Sequence, residues 1–117
     1  MQSIGREVGM TVHTGSPAEI LLAVQLEQAG IPFEREYRFV DRLWRFDFVV
    51  GQRIAVEVEG GSYTGGHKRG KAYESDCDKQ NTAMDLGWRV YRFTPAHVND
   101  NRALTVIRQA LGNESAA

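Results

Sequence analysis

Three carboxylates, those of Asp47, Glu57 and Glu59, stand close together in the sequence among apolar neighbours. Like charges that a fold holds within a few ångströms of one another are unfavourable unless a cation or a proton neutralises them. Oxygen ligands of this kind suit hard divalent cations. The three acids are therefore a candidate metal site if the fold brings them onto one face.

Residues 44–61 alternate apolar and polar side chains in two short runs, which is typical of two half-buried strands. If the apolar faces of these strands lie together, Phe48 sits opposite Val56. Asp47 then becomes the cross-strand neighbour of Glu57, and the connection is a three-residue hairpin loop that contains a glycine. The apolar face of the first strand is predicted to comprise Phe46, Phe48 and Val50.

The segment that begins at Ser16 has the signals of a helix start. Ser16 is a good N-cap, Pro17 suits the first helical position, and Glu19 completes a capping box. Gly30 ends this helix. Residues 33–40 alternate again and are predicted to form the strand that precedes the hairpin.

The second half of the chain repeats the alternation of helix and strand. Residues 72–86 are predicted to form a second helix, and residues 88–93 a fourth strand. A last helix is capped by Asn99 or Asp100 and ends at Gly112. The stripe of the second helix predicted to face the core comprises Tyr73, Cys77, Gln80 and Met84.

The predicted order is α-β-β-β-α-β-α, an α/β fold. The helix between the third and fourth strands is long enough for a parallel crossover, which gives a mixed four-stranded sheet flanked by helices. We expect one domain over residues 16–112, an irregular N-terminal arm over 1–15 and a frayed tail over 113–117.

Composition limits the function classes. The net charge is −1, so any nucleic-acid binding must use a local basic patch. The single Cys77 excludes an internal disulfide and a cysteine-built zinc site. No signal peptide or apolar run long enough to span a membrane is visible, and we expect a cytoplasmic protein without an organic cofactor.

A basic, glycine-rich loop over residues 60–71 follows the predicted metal strand. Its glycines allow the backbone to approach a phosphate closely, and its basic side chains can neutralise phosphate charge. We therefore expect it to contact a DNA backbone. The expected contact residues are Tyr63, His67, Lys68, Arg69 and Lys71.

Strand order and acidic motif together resemble the PD-(D/E)XK nuclease superfamily. The later stretch is similar to the small endonucleases related to very-short-patch repair and to the DUF559 group, which phages and prophages often encode. The residues that carry the resemblance are Asp47, Glu57-Val58-Glu59, Asp76-x-x-Lys79 and Gly87-Trp88-Arg89-Val90.

The resemblance implies that Asp47 and Glu57 bind Mg²⁺ or Mn²⁺, with the backbone carbonyl of Val58 as a further ligand. It also implies that Glu19, on the first helix, supports the metal or its waters. Gln80 is similar to the helix glutamine that accompanies the site in other branches of the superfamily.

Glu59 departs from the family pattern, which has a lysine at this position. Lys79 is the candidate substitute for that lysine, and Lys68 and Lys71 are weaker ones. The alternative is that Glu59 binds a second metal ion, since it shares a strand face with Glu57.

We expect a metal-dependent DNA endonuclease that hydrolyses phosphodiester bonds in the cytoplasm of a bacterial or phage-infected cell. A chain this small has little surface for reading sequence, so DNA structure or a partner would select the target. One alternative is a Holliday-junction resolvase acting as a homodimer. Another is an inactive DNA-binding or assembly module, which the missing lysine would explain.

Overall fold

The computed structural model describes residues 12–60 and 70–116. The predicted DNA contacts Tyr63, His67, Lys68 and Arg69 lie outside these ranges, as does most of the N-terminal arm, and the predicted domain limits stay a prediction. In chain order the elements are α1 (Pro17–Gln28), β1 (Phe33–Arg38), β2 (Arg45–Val50), β3 (Ile54–Val58), α2 (Lys71–Asp85), β4 (Arg89–Phe93), α3 (Pro95–Asn99) and α4 (Arg102–Ala116).

The four strands form one mixed sheet in the order β1-β2-β3-β4. β2 pairs antiparallel with both β1 and β3, whereas β4 lies parallel to β3 because α2 crosses between them. Phe48 pairs with Val56, as the alternation of apolar residues predicts. The predicted α/β fold with a mixed, helix-flanked sheet is therefore confirmed.

Each side of the sheet packs against its own set of helices. α1, α3 and α4 cover one side, and α2 covers part of the other, where Ala83 packs beside Trp88. No helix in the described ranges is long and apolar enough to cross a membrane. The largest fully buried side chains are Phe46, Phe48, Leu22, Leu26, Ile54, Ile107, Val50, Val56 and Val98.

The predicted apolar face of β2 is wrong, because the strand changes sides at Asp47. Phe48 and Val50 pack against α1 and α4, whereas Phe46 packs against Trp88 on the α2 side. Residues two apart share a face only while the backbone stays regular. Opposite Asp47, between the Arg35–Phe48 and Tyr37–Phe46 pairs, Glu36 has a φ of 51°. This left-handed residue interrupts β1 where both strands change sides.

The solvent-facing side of α2 was wrongly predicted to face the core. Tyr73 and Met84 are more than half exposed, and Cys77 is exposed as well. The inner face of α2 instead carries the buried Ala83 and the half-buried Lys79. An apolar stripe predicts the buried face only when that face meets an apolar core, and here α2 overlies polar side chains.

The C-terminal region is also longer and more helical than the sequence predicts. Pro95 ends β4 but opens the short helix α3, capped by Thr94. α4 then runs through Gly112 to Ala116, so the predicted helix end at Gly112 is wrong. Glu114 on this extension accepts a hydrogen bond of 2.9 Å from the backbone N–H of Gln52.

We expect Glu36→Gly to be more stable than Glu36→Ala by about 1 kcal/mol, because a left-handed conformation costs L-residues about 1–2 kcal/mol and spares glycine. Both variants remove the carboxylate, so the comparison isolates the backbone. Urea denaturation measures the free energy of unfolding of each.

Glu34 is the matched control, since it is exposed on the same strand and has no positive φ. There the glycine variant should be the less stable one, by about 0.5–1 kcal/mol. The same order of stability at both positions would contradict the backbone assignment at Glu36.

Candidate functional site

An open cleft of about 220 Å³ lies where β2 and β3 separate, beneath α2 and beside the start of α1. It brings together the acids predicted as site residues, the predicted basic residue and the predicted helix glutamine. The side chains that line it include Glu19, Phe46, Asp47, Glu57, Val58, Glu59, Asp76, Lys79, Gln80 and Arg92.

Asp47 and Glu57 replace the backbone pairing at this point of the sheet. The Asp47 carboxylate accepts a hydrogen bond of 2.8 Å from the backbone N–H of Val58, and the Asp47 backbone N–H donates to Glu57 Oε2 at 3.2 Å. The regular β2–β3 pairs end one residue earlier, at Phe48 and Val56. Both carboxylates are therefore held in place by backbone groups of the facing strand.

A second grouping of acids joins Asp47 to β1 and α1. One carboxylate oxygen each of Glu19, Glu36 and Asp47 lie within 4.8 Å of one another. Glu19 does not complete the predicted capping box: Ser16 Oγ accepts from its backbone N–H, but its carboxylate binds Arg35. Three oxygens at this spacing can approach one hard cation.

Arg35 fixes the Glu19 side of the cleft. Its Nη2 donates to Glu19 Oε1 and to the carbonyl of Thr14, both at 2.9 Å, and its Nε donates to the carbonyl of Asp47 at 3.3 Å. Its guanidinium lies 4.5 Å from the centre of the Phe48 ring. Gly15 sits so close to the Glu19 carboxylate that a Cβ there would collide with it.

Two further cations engage the acids of β3. Lys79 Nζ donates to Glu57 Oε1 at 3.0 Å. Arg92, on the parallel neighbour β4, donates to Glu59 Oε2 at 2.6 and 2.9 Å, and to Gln80 Oε1 at 3.2 Å. Between Ile54 and Glu59 there is no basic side chain. The positive charge that compensates Glu57 and Glu59 comes instead from Lys79 on α2 and Arg92 on β4.

Burial raises the pKa of three acids in the cleft. Desolvation is the largest cause for Glu19, and the negative charge of Asp47 adds to it. Desolvation also raises the pKa of Asp47, against the opposing bond from Val58 N–H. The pKa of Glu57 is raised by desolvation although Lys79 opposes the shift. The folded chain thus holds ionised carboxylates at a cost that a bound cation would offset.

Sequence reasoning missed Glu36, Arg35 and Arg92. Glu36 lies directly across β1–β2 from Asp47, and Arg92 lies beside Glu57 in the parallel β3–β4 register. Both positions follow from strand registers that the alternation pattern alone does not fix. Of the predicted DNA contacts, only Lys71 is described, and it is exposed at the start of α2.

The chain is similar to the solved catalytic domain of the homing endonuclease I-Bth0305I. The two share 20% identity with a TM-score of 0.60, over 84% of this chain and 94% of that domain. No family model and no curated protein matches the chain. At this identity the similarity shows the fold, which is that of an endonuclease catalytic domain.

We expect Asp47→Asn to raise the melting temperature of the metal-free protein near pH 8. Because burial raises the pKa of Asp47, its ionised form costs stability in the folded state, and the neutral amide avoids that cost. As the pH falls through the raised pKa, the wild-type carboxyl gains a proton. It then avoids the cost of a charged group in the folded state, as the amide does. The difference should therefore be smaller at an acidic pH, below this raised pKa, than near pH 8.

Thermal unfolding in EDTA at the two pH values measures both effects, with Glu34→Gln as the exposed control. A melting temperature lowered near pH 8 would mean that the bond from Val58 N–H outweighs the cost of burial.

Proposed function

We propose that this protein is a divalent-metal-dependent DNA endonuclease that hydrolyses phosphodiester bonds. The observation that carries the proposal is the convergence of Glu19, Asp47 and Glu57 in one cleft, with Glu36 beside Glu19 and Asp47, on a fold shared with an endonuclease catalytic domain. Buried acids with raised pKa values beside a lysine are typical of a catalytic site.

The proposed metal ligands are Asp47, Glu57 and the backbone carbonyl of Val58, with Glu19 and Glu36 as further oxygen donors. Mg²⁺ or Mn²⁺ suits such an all-oxygen set. A bound ion would supply Lewis-acid chemistry at a phosphate and a water of lowered pKa. The grouping of Glu19, Glu36 and Asp47, whose carboxylate oxygens lie within 4.8 Å of one another, supports a cation at Asp47, and Glu57 adjoins that group through its hydrogen bond from the Asp47 backbone N–H.

Two basic side chains, Arg35 and Lys79, have separate roles beside the proposed metal ligands. Arg35 orients Glu19 and is itself fixed by two backbone carbonyls. Lys79 neutralises Glu57 and lies on the inner face of α2, where it can turn from the carboxylate to a phosphate oxygen. We therefore propose Lys79 as the substitute for the family lysine, and Gln80 as a positioning residue.

The proposed substrate is DNA, held by the basic loop after β3 and by Lys71 at its end. A domain of this size reads little sequence, so we propose that DNA structure, a partner or a second copy selects the target. Action on four-way junctions would require two sites, and light scattering with junction DNA tests for that dimer.

A binding module without catalysis is the second candidate, and one observation favours it. Lys79 and Arg92 already pair with Glu57 and Glu59, so these two acids are neutralised without a metal ion. Such a module would bind DNA and leave it intact in every divalent metal.

We expect Asp47→Ala and Glu57→Ala each to lower metal-dependent plasmid nicking by more than about 100-fold, since even residues that only support metal ligands typically cost 10–100-fold. Nicking in Mg²⁺, Mn²⁺ and EDTA measures the effect. Glu34→Ala, an exposed acid on β1 away from the cleft, is the control and should nick at the wild-type rate.

Circular dichroism of each variant separates lost chemistry from lost fold. Full activity in folded Asp47→Ala or Glu57→Ala would overturn the proposal. Intact DNA with the wild-type protein in both metals, together with binding, would establish the module instead.

A further inference from the structure

We infer that Arg92, aligned by Glu59, binds a DNA backbone phosphate where the DNA enters this cleft, in addition to the phosphate contact proposed for Lys79. The inference deepens the proposed function and rests on it. It assigns the Glu59–Arg92 pair to substrate binding, and it leaves Glu59 out of the metal site.

The cleft needs such a residue because its lining is strongly acidic. Within the described part of the chain, five carboxylates line it against two basic side chains. A phosphodiester is an anion, so a cation with accessible surface must meet it where it enters. The lining carboxylates are those of Glu19, Asp47, Glu57, Glu59 and Asp76.

Three basic side chains contact the described acids of this region, and they differ in exposure. The side chain of Arg35 is 18% exposed and that of Lys79 is 19% exposed, whereas that of Arg92 is 44% exposed. Arg35 and Lys79 are thus largely enclosed by the acids and backbone groups that they serve. Arg92 offers the largest accessible cationic surface of the three.

Arg92 also keeps donor capacity after its internal contacts. A guanidinium has five N–H donors in a planar fork, which matches the oxygens of a phosphate. The bonds to Glu59 and Gln80 use three of them. The remaining N–H group on each of Nη1 and Nη2 can donate to a phosphate oxygen while the bonds to Glu59 and Gln80 stay in place.

Glu59 and Gln80 fix the orientation of this fork from two sides. Glu59 follows β3, and its backbone N–H donates to the carbonyl of Phe93 at 2.8 Å, which ties it to β4 beside Arg92. Gln80 comes from α2. An arginine held from a strand and a helix loses less freedom when it binds a ligand than a free surface arginine does.

The position of Arg92 joins two openings. It lines the acidic cleft and also a neighbouring groove formed with His97 of α3 and with Asp100, Asn101, Arg102 and Thr105 around the start of α4. A nucleic-acid strand leaving the cleft past Arg92 would enter this second, less acidic groove. Arg92 therefore borders both openings.

The first test measures how DNA binding depends on salt, in EDTA so that no cleavage occurs. Fluorescence anisotropy with a labelled duplex compares the wild type, Arg92→Ala, Arg92→Lys and Arg89→Ala. Arg89 is the matched control, because it lies on the same strand at the end paired with Ile54, away from the cleft.

Loss of one phosphate contact should reduce the slope of log K against log salt by about 0.9 in Arg92→Ala, with little change in Arg89→Ala. Arg92→Lys should keep the slope, since it keeps the charge. A merely structural arginine would weaken binding without changing the slope, so an unchanged slope in Arg92→Ala overturns the inference.

The second test moves the positive charge from position 92 on β4 to position 59 at the end of β3. Arg92→Ala should lower metal-dependent nicking by about 100-fold, the loss typical of one preorganised charge-stabilising donor. Adding Glu59→Lys to Arg92→Ala returns a cation to the same corner from β3 and should recover part of the lost rate. Suppose that Arg92→Ala loses activity and that the folded double variant recovers none of it. Arg92 would then act through its shape alone. That result would overturn the assignment of Arg92 and position 59 to one phosphate-binding corner.

Different results would overturn the proposed function and the role of Arg92. A wild-type protein that neither binds nor nicks DNA would overturn the proposed function and this inference with it. A wild-type protein that nicks DNA, with Arg92→Ala equal to it in slope and rate, would overturn this inference alone.

Discussion

The partial burial of acidic side chains where β2 and β3 part is the constraint on which the rest of the site depends. Asp47 and Glu57 give up a regular ladder step and instead bond to each other's strand through backbone N–H groups. The sheet therefore opens at a fixed place and carries fixed negative charge there. Three neighbouring elements supply the cations that compensate the acids of the cleft: β1 through Arg35, α2 through Lys79 and β4 through Arg92.

This arrangement separates what the sequence could predict from what it could not. The Phe48–Val56 register, and hence the meeting of Asp47 with Glu57, follows from local alternation and a short loop. Glu36 could not be placed in the same way, because its proximity to Asp47 depends on the neighbouring β1 and on a left-handed residue that breaks the alternation.

The error on α2 has a related cause. The usual rule assumes that a helix buries its apolar stripe, and Tyr73 and Met84 form such a stripe. Here the helix lies over the cleft, so Lys79 faces inward and the stripe faces solvent. The position of Arg92 could not be predicted from the sequence either. Only the parallel pairing of β3 with β4 brings Arg92 beside Glu57, where it also binds Glu59. Polar functional faces are where patterns built for core packing fail.

Arg35 ties the chemistry of the cleft to the interior of the protein. Its guanidinium rests on the ring of Phe48, a side chain with no exposure, while its nitrogens hold Glu19 and two backbone carbonyls. The shape of that ring is thus part of the alignment of the first-helix acid. A library of Phe48 replacements sorted by expression or heat resistance would retain aliphatic substitutes that pack well. In those variants Arg35 would lack the aromatic ring that supports its guanidinium. Folding would therefore depend on the apolar volume at position 48, whereas the alignment of Glu19 would depend on the ring.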